Sequence, residues 1–138
     1  MDTITDIQVL KDTHKINGPE DLINKLPSIV GFKPNNESIV IVNTDIFSDY
    51  IIGCKVISTL DLFDLLEHVD DISNDVGTIL CYYTNQKLDK IRPSAERLFD
   101  YLNNSINVRD VLYIRNNRWG SFICFDEKCC PTRGRVIE

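Results

Sequence analysis

No stretch of the 138-residue chain approaches the roughly 20 consecutive apolar residues that a membrane-spanning helix needs. The opening, Met1-Asp2-Thr3-Ile4-Thr5-Asp6, lacks the basic and apolar regions of a secretion signal, which points to the cytoplasm. Neither Gly-x-Gly-x-x-Gly nor Gly-x4-Gly-Lys-Ser/Thr occurs, so the common phosphate-cradling loops are excluded. Basic residues are too few for a nucleic-acid binder: 15 Lys and Arg stand against 21 Asp and Glu, a net charge of −6. Affinity for phosphates comes mainly from clustered cations, and none cluster here. Repeats, low-complexity tracts and Gly/Ser linkers are missing too, which leaves residues 1–138 as one domain.

What is present suits a folded, soluble domain. Hydrophobic residues make up 43% and charged residues 26%, too apolar a balance for disorder. The apolar positions around Ile7 to Leu10 suggest an edge strand. Gly18-Pro19-Glu20-Asp21 opens a helix, because Pro lacks only a donor that the first turn would orphan and the acids complement the dipole. Leu22, Ile23 and Leu26 give its apolar face; Pro27 is expected to end or kink it, with Gly31 in the left-handed position that follows. Ser38-Ile39-Val40-Ile41-Val42 is a continuous β-branched run, as in a strand covered on both faces.

Further strands are expected over Tyr50–Ile57 and Val76–Tyr83. Between them Leu62, Leu65, Leu66, Val69 and Ile72 follow helical spacing, with Thr59 as the cap. Pro93 is placed at the start of a helix carrying Ala95, Leu98, Phe99 and Leu102. Val111–Arg115 and Trp119–Phe125 flank Asn116-Asn117, the composition of a tight hairpin, since Asn tolerates positive φ. The expected fold is therefore α/β: a mixed sheet flanked by helices and closing with a C-terminal antiparallel hairpin. Its core should include Ile39, Ile41, Leu65, Leu66, Val69, Ile79, Leu98, Phe99 and Ile123.

Two segments carry a family likeness. The first runs Asp21-Leu22-Ile23-Asn24-Lys25-Leu26-Pro27-Ser28-Ile29-Val30-Gly31-Phe32-Lys33-Pro34 and on through Glu37 to Val42. The second is Arg118-Trp119-Gly120-Ser121-Phe122-Ile123-Cys124-Phe125-Asp126, then Cys129-Cys130-Pro131 and Gly134. Together, in this order, they resemble the domain-of-unknown-function family 4192 of actinobacteria and their phages. The resemblance implies an actinobacterial or phage origin and no known reaction. It also implies an Arg and an Asp-Leu-Pro after the second strand, where this chain has Ser58-Thr59-Leu60-Asp61-Leu62.

Candidate chemistry is sparse. Cys124, Cys129 and Cys130 have the character of zinc ligands, completed by His14 or His68, but structural zinc sites usually come as paired Cys-x-x-Cys spacings and one cluster supplies half of that. A disulfide among them is disfavoured in a reducing compartment; a packed turn shaped by Pro131 and Gly134 is the default, with no cofactor. Cys54 and Cys81 sit inside strand-like runs as inert buried thiols. Asn43-Thr44-Asp45 and Thr84-Asn85 end two expected central strands, where open α/β sheets bind ligands. Thr44, Asp45, Thr84 and Asn85 are thus candidates for a small-molecule (nucleotide-like) or hydrolase site, and equally ordinary loop residues. The hairpin offers Arg115, Arg118, Trp119 and Phe122, the aromatic and arginine composition of an interface hot spot. The leading expectation is a non-enzymatic protein-interaction or regulatory module with a protein partner, or a second copy of itself, and with neither nucleic acid nor membrane as a target.

Overall fold

Seven of the eight residues of Val76–Tyr83 are buried, and their side chains alternate between two separate hydrophobic clusters. Ile79, Cys81 and Tyr83 pack into one, Leu80 and Tyr82 into the other. That double coverage explains why the run reads as continuously apolar instead of alternating. The computed structural model describes residues 5–6, 15–69, 72, 75–123 and 134–137. In chain order its elements are β1 (Thr5–Asp6), α1 (Pro19–Val30), β2 (Ser38–Asp45), β3 (Ile51–Ile57), α2 (Leu62–Val69), β4 (Val76–Tyr83), α3 (Leu88–Asn103), β5 (Asn107–Arg115), β6 (Arg118–Ser121) and β7 (Arg135–Val136). The sheet order is β1-β3-β2-β4-β5-β6-β7. The architecture is α/β with a mixed sheet, as its alternating elements predict.

α1 covers one face with Leu22, Ile23, Leu26, Ile29 and Val30, against Val40, Val42, Val56 and Leu112. α2 and α3 cover the other with Leu65, Val69, Ile91, Ala95, Leu98 and Leu102, against Ile39, Ile41 and Val111. Of the predicted core, Ile39, Ile41, Leu65, Val69, Ile79 and Leu98 are buried, whereas Leu66, Phe99 and Ile123 are half-buried at its margin.

β2 is antiparallel to both β3 and β4, and β4 is parallel to β5. β3, β4 and β5 therefore run the same way. The parallel pair is joined by α3, the crossover that such a pair requires. The β5–β6 connection is a two-residue turn with Asn116 at φ 51° and Asn117 at φ 62°. Positive φ at both central residues is the turn whose twist matches that of the flanking strands, as the Asn-Asn pair predicts.

Local signals fail in four places. Pro27 neither ends α1 nor stops its last turn: the helix continues to Val30, and Gly31, at φ 88°, donates its N–H to Pro27 O at 3.0 Å. Pro93 lies inside α3, which starts earlier at Leu88. One missing donor near the helix start is offset by the apolar face of Ile91, Ala95 and Leu98. Asp61, not Thr59, caps α2: Asp61 Oδ2 accepts the N–H of Asp64 at 3.3 Å, while Thr59 Oγ1 accepts that of Asp61 at 3.1 Å. Ile72 falls beyond α2, its N–H bonded to Val69 O at 3.2 Å. The edge strand expected over Ile7–Leu10 lies outside the described residues. Among the described residues, no helix is long and apolar enough to cross a membrane.

Candidate functional site

Because β3, β4 and β5 run together, their carboxyl ends emerge at one end of the sheet, at Ser58, Thr84 and Asn116. Ligands of open α/β sheets favour this end. The amino end of β2 arrives there as well, since Ser38 pairs with Tyr83. At its tip stands Glu37, held at φ 66°, a conformation that a non-glycine residue adopts only when its surroundings compensate. Here they do. Its N–H donates to Tyr83 O at 2.6 Å, and its carboxylate accepts the Thr84 hydroxyl at 2.8 Å and the side-chain amide of Gln86. Thr84 Oγ1 in turn accepts the N–H of Gln86 at 2.9 Å, and Arg115 Nε donates to Gln86 O at 2.7 Å. Glu37, Thr84, Gln86 and Arg115 thus form one pinned ridge across the ends of β2, β4 and β5.

A cleft opens on each side of this ridge. On the α2–α3 side, one of about 680 Å³ lies between the first residues of α2, the amino half of α3 and the segment Ser58–Asp61. It takes in Lys90 and Arg97, and Phe63 stands at its side 77% exposed. The segment in which the family resemblance expects an Arg and a Pro therefore forms a wall of this cleft. On the α1 side, a second cleft of about 570 Å³ lies between the end of α1, the loop Lys33–Asn36, Asn85 and the Asn116–Asn117 turn. Both volumes fall within the range of organic-ligand pockets.

The residues singled out from sequence scatter across this geometry. Thr84 and Asn85 are at the ridge, but Thr44 and Asp45 are at the opposite end of the sheet, because antiparallel pairing sets Thr44 beside Gly77. One shared pocket for all four is thereby corrected. Thr44 is buried and accepts a hydrogen bond from Arg109 Nη1 at 3.0 Å, while Arg109 also bonds Ser48 O at 3.0 Å and pairs with Asp49 at 2.6 Å. Asp45 Oδ1 accepts the N–H of Phe47 at 2.8 Å. These bonds close the β2–β3 turn.

In the hairpin, Trp119 and Phe122 are both buried, one on each face, so neither stands out as a surface anchor. Trp119 Nε1 donates to Glu20 Oε1 at 3.2 Å, tying the hairpin to the start of α1. Phe122 packs edge-on to Tyr82 at 5.8 Å and against Tyr113 at 5.1 Å, with Arg92 over its ring. Arg118 is exposed, and its guanidinium donates to Gly134 O at 3.2 Å. Arg115 is half-buried in the ridge.

Burial raises the Cys54 thiol to about 12 and pushes the Cys81 thiol well above its usual range, so neither is a thiolate at neutral pH. Cys124, Cys129 and Cys130, with His14, lie outside the described residues, among which no cluster of three or more His, Cys, Asp and Glu side chains could hold a metal.

The Domain of unknown function (DUF4192) family matches residues 19–138, nearly the whole chain. The chain belongs to this family. In this DUF4192 domain the two family-like segments meet across the α1 face, where Trp119 shares one hydrophobic cluster with Leu22, Ile23 and Leu26. No curated protein and no solved structure matches it.

Sequence reasoning missed Glu37 and Gln86. The one available signal was a carboxylate two residues after Asn35 and directly before a buried strand, which is not distinctive.

Proposed function

We propose that this DUF4192 domain is a non-enzymatic protein-interaction module of the cytoplasm that engages its partner at the carboxyl end of β3, β4 and β5. The observation that carries this reading is the pinned ridge of Glu37, Thr84, Gln86 and Arg115, flanked by a cleft on each face. A surface already rigid before binding loses little ordering entropy on association. Arg118 stands at the same end beside the turn, with N–H donors beyond the one spent on Gly134 O, and is suited to a partner carboxylate. Cys54 and Cys81, buried and protonated, are unsuited to act as nucleophiles. The reading needs no cofactor, takes a protein or a second copy of the chain as partner, and keeps the actinobacterial or phage origin implied by the family.

A second reading, a nucleotide-like small-molecule site, draws support from the larger cleft, where Lys90 and Arg97 stand near the first turns of α2 and α3. Affinity capture with the domain as bait separates the two. Arg118→Ala should leave the thermal midpoint nearly unchanged and weaken capture by about 1–2 kcal/mol. Trp119→Ala should lower stability by about 3–5 kcal/mol, as expected of a buried aromatic. Capture that survives Arg115→Ala and Arg118→Ala combined, with nucleotides raising the midpoint instead, would reject the protein-interaction reading in favour of the second.

A further inference from the structure

The cleft on the α1 side has an unusual lining. Asn24, Asn35, Asn36, Asn85, Asn116 and Asn117 converge there from α1, the loop after it, the end of β4 and the β5–β6 turn. None of their carboxamides bonds a described residue, so each presents two N–H donors and one carbonyl acceptor. Their supports are fixed: the turn by its paired positive φ, the loop by buried Pro34 and by the Ser38 hydroxyl donating to Asn35 O.

Charge narrows the ligand. Lys33 is the single ionised side chain in the lining, so neither a polyanion nor a cation is matched. Number narrows it further. A nucleobase edge engages one carboxamide in a bidentate pair, which would leave most of six unused. A polypeptide main chain offers one N–H and one C=O at every residue, the same donor and acceptor pair that a carboxamide complements. Between the polar groups lie the half-buried Pro27, Ile114 and Ile137, aliphatic surface suited to the alternate side chains of an extended strand.

We infer that this cleft binds an extended, uncharged peptide segment, its main chain held by the asparagine carboxamides and its aliphatic side chains by Pro27, Ile114 and Ile137. The inference rests on the reading of the carboxyl end as the recognition surface, and names what that surface recognises.

The test is a titration of the ¹⁵N-labelled protein with acetyl-Gly-Val-Gly-Val-Gly-amide, followed by the side-chain NH₂ signals of the asparagines. Adenosine and methyl glucoside serve as comparison ligands. The expected result is saturable movement of the Asn36, Asn85, Asn116 and Asn117 signals with the peptide. Asn36→Ser combined with Asn116→Gly, which keeps the turn's positive φ, should weaken binding about ten-fold with the backbone spectrum otherwise preserved. No movement up to the solubility limit overturns the inference, as does tighter binding of either comparison ligand at the same signals. If capture of a protein partner still depends on Arg118 after such a failure, the carboxyl-end reading stands and only the peptide assignment falls.

Discussion

Gly120 sits opposite Tyr113 in the β5–β6 pair, and the Tyr113 ring lies directly across it. A methyl group added at Gly120 would fall 2.3 Å from Tyr113 Oη, 2.5 Å from Cζ and 2.7 Å from Cε2. Ordinary contact begins at about 3.5 Å, so the ring must move by about 1 Å. It has little room for that movement. Tyr113 is 3% exposed, and its ring packs 5.1 Å from that of Phe122, which is itself buried against Tyr82. Overpacking of this kind costs about 1–3 kcal/mol, and a rigid aromatic neighbour sets the value at the upper half of that range. Backbone strain adds nothing, because Gly120 is not among the glycines with positive φ. Gly120→Ala should therefore lower the urea midpoint by the equivalent of about 2–3 kcal/mol with the denaturant slope unchanged. Gly120→Ala with Tyr113→Val, which removes the obstructing ring, should show a cost smaller than the sum of the two single changes. A Gly120→Ala midpoint equal to that of the parent, or strict additivity in the double variant, would refute the close approach of Tyr113.

Two more outcomes follow from burial. Leu65 is fully buried and Leu66 only half-buried, so Leu65→Ala should cost about 2–5 kcal/mol and Leu66→Ala clearly less, read from chemical denaturation. Burial raises the Asp110 pKa, against the opposing hydrogen bonds from the Ser121 hydroxyl at 2.7 Å and the Val111 N–H at 2.9 Å. The folded state thus holds this proton more tightly than the unfolded chain, and the Asp110 contribution to stability falls as pH rises from the unfolded to the folded pKa. Asp110→Asn should be more stable than the parent at neutral pH, with the difference shrinking as pH falls through the raised folded pKa towards about 4, the unfolded value; a constant difference from neutral pH down to about pH 4 contradicts the assignment.

Elements buried on both faces were the most legible in sequence. β2 and β4 show as unbroken apolar runs because α1 covers one face and α2 with α3 the other. The hairpin was legible for a local reason, the Asn-Asn pair at its turn. The start of α3 was not, since Gln86–Arg92 carries few apolar residues and Pro93 mimics a first-turn proline. Strand direction lies deeper still. No local feature of β2 says that it runs against β3 and β4, yet that reversal sends Thr44 and Thr84 to opposite ends. The site was legible only in fragments, such as Asn85 and Arg115. Its ridge joins Glu37 to Thr84 and Gln86 across 47 and 49 residues of sequence, and a tyrosine core strand supplies the carbonyl that fixes Glu37. Such pairings are made by chain reversal and leave no spacing to read.

β4 gives alternate side chains to the two hydrophobic clusters, and its backbone bonds β2 on one side and β5 on the other. Neither helical layer can be released without exposing side chains rooted in that same strand. Local opening of the two layers is therefore coupled through a common spine, and the amide protons of β4 can exchange with solvent only when the whole domain opens. In deuterium exchange these amides form the slowest class, and their rate reports the global unfolding free energy of the molecule.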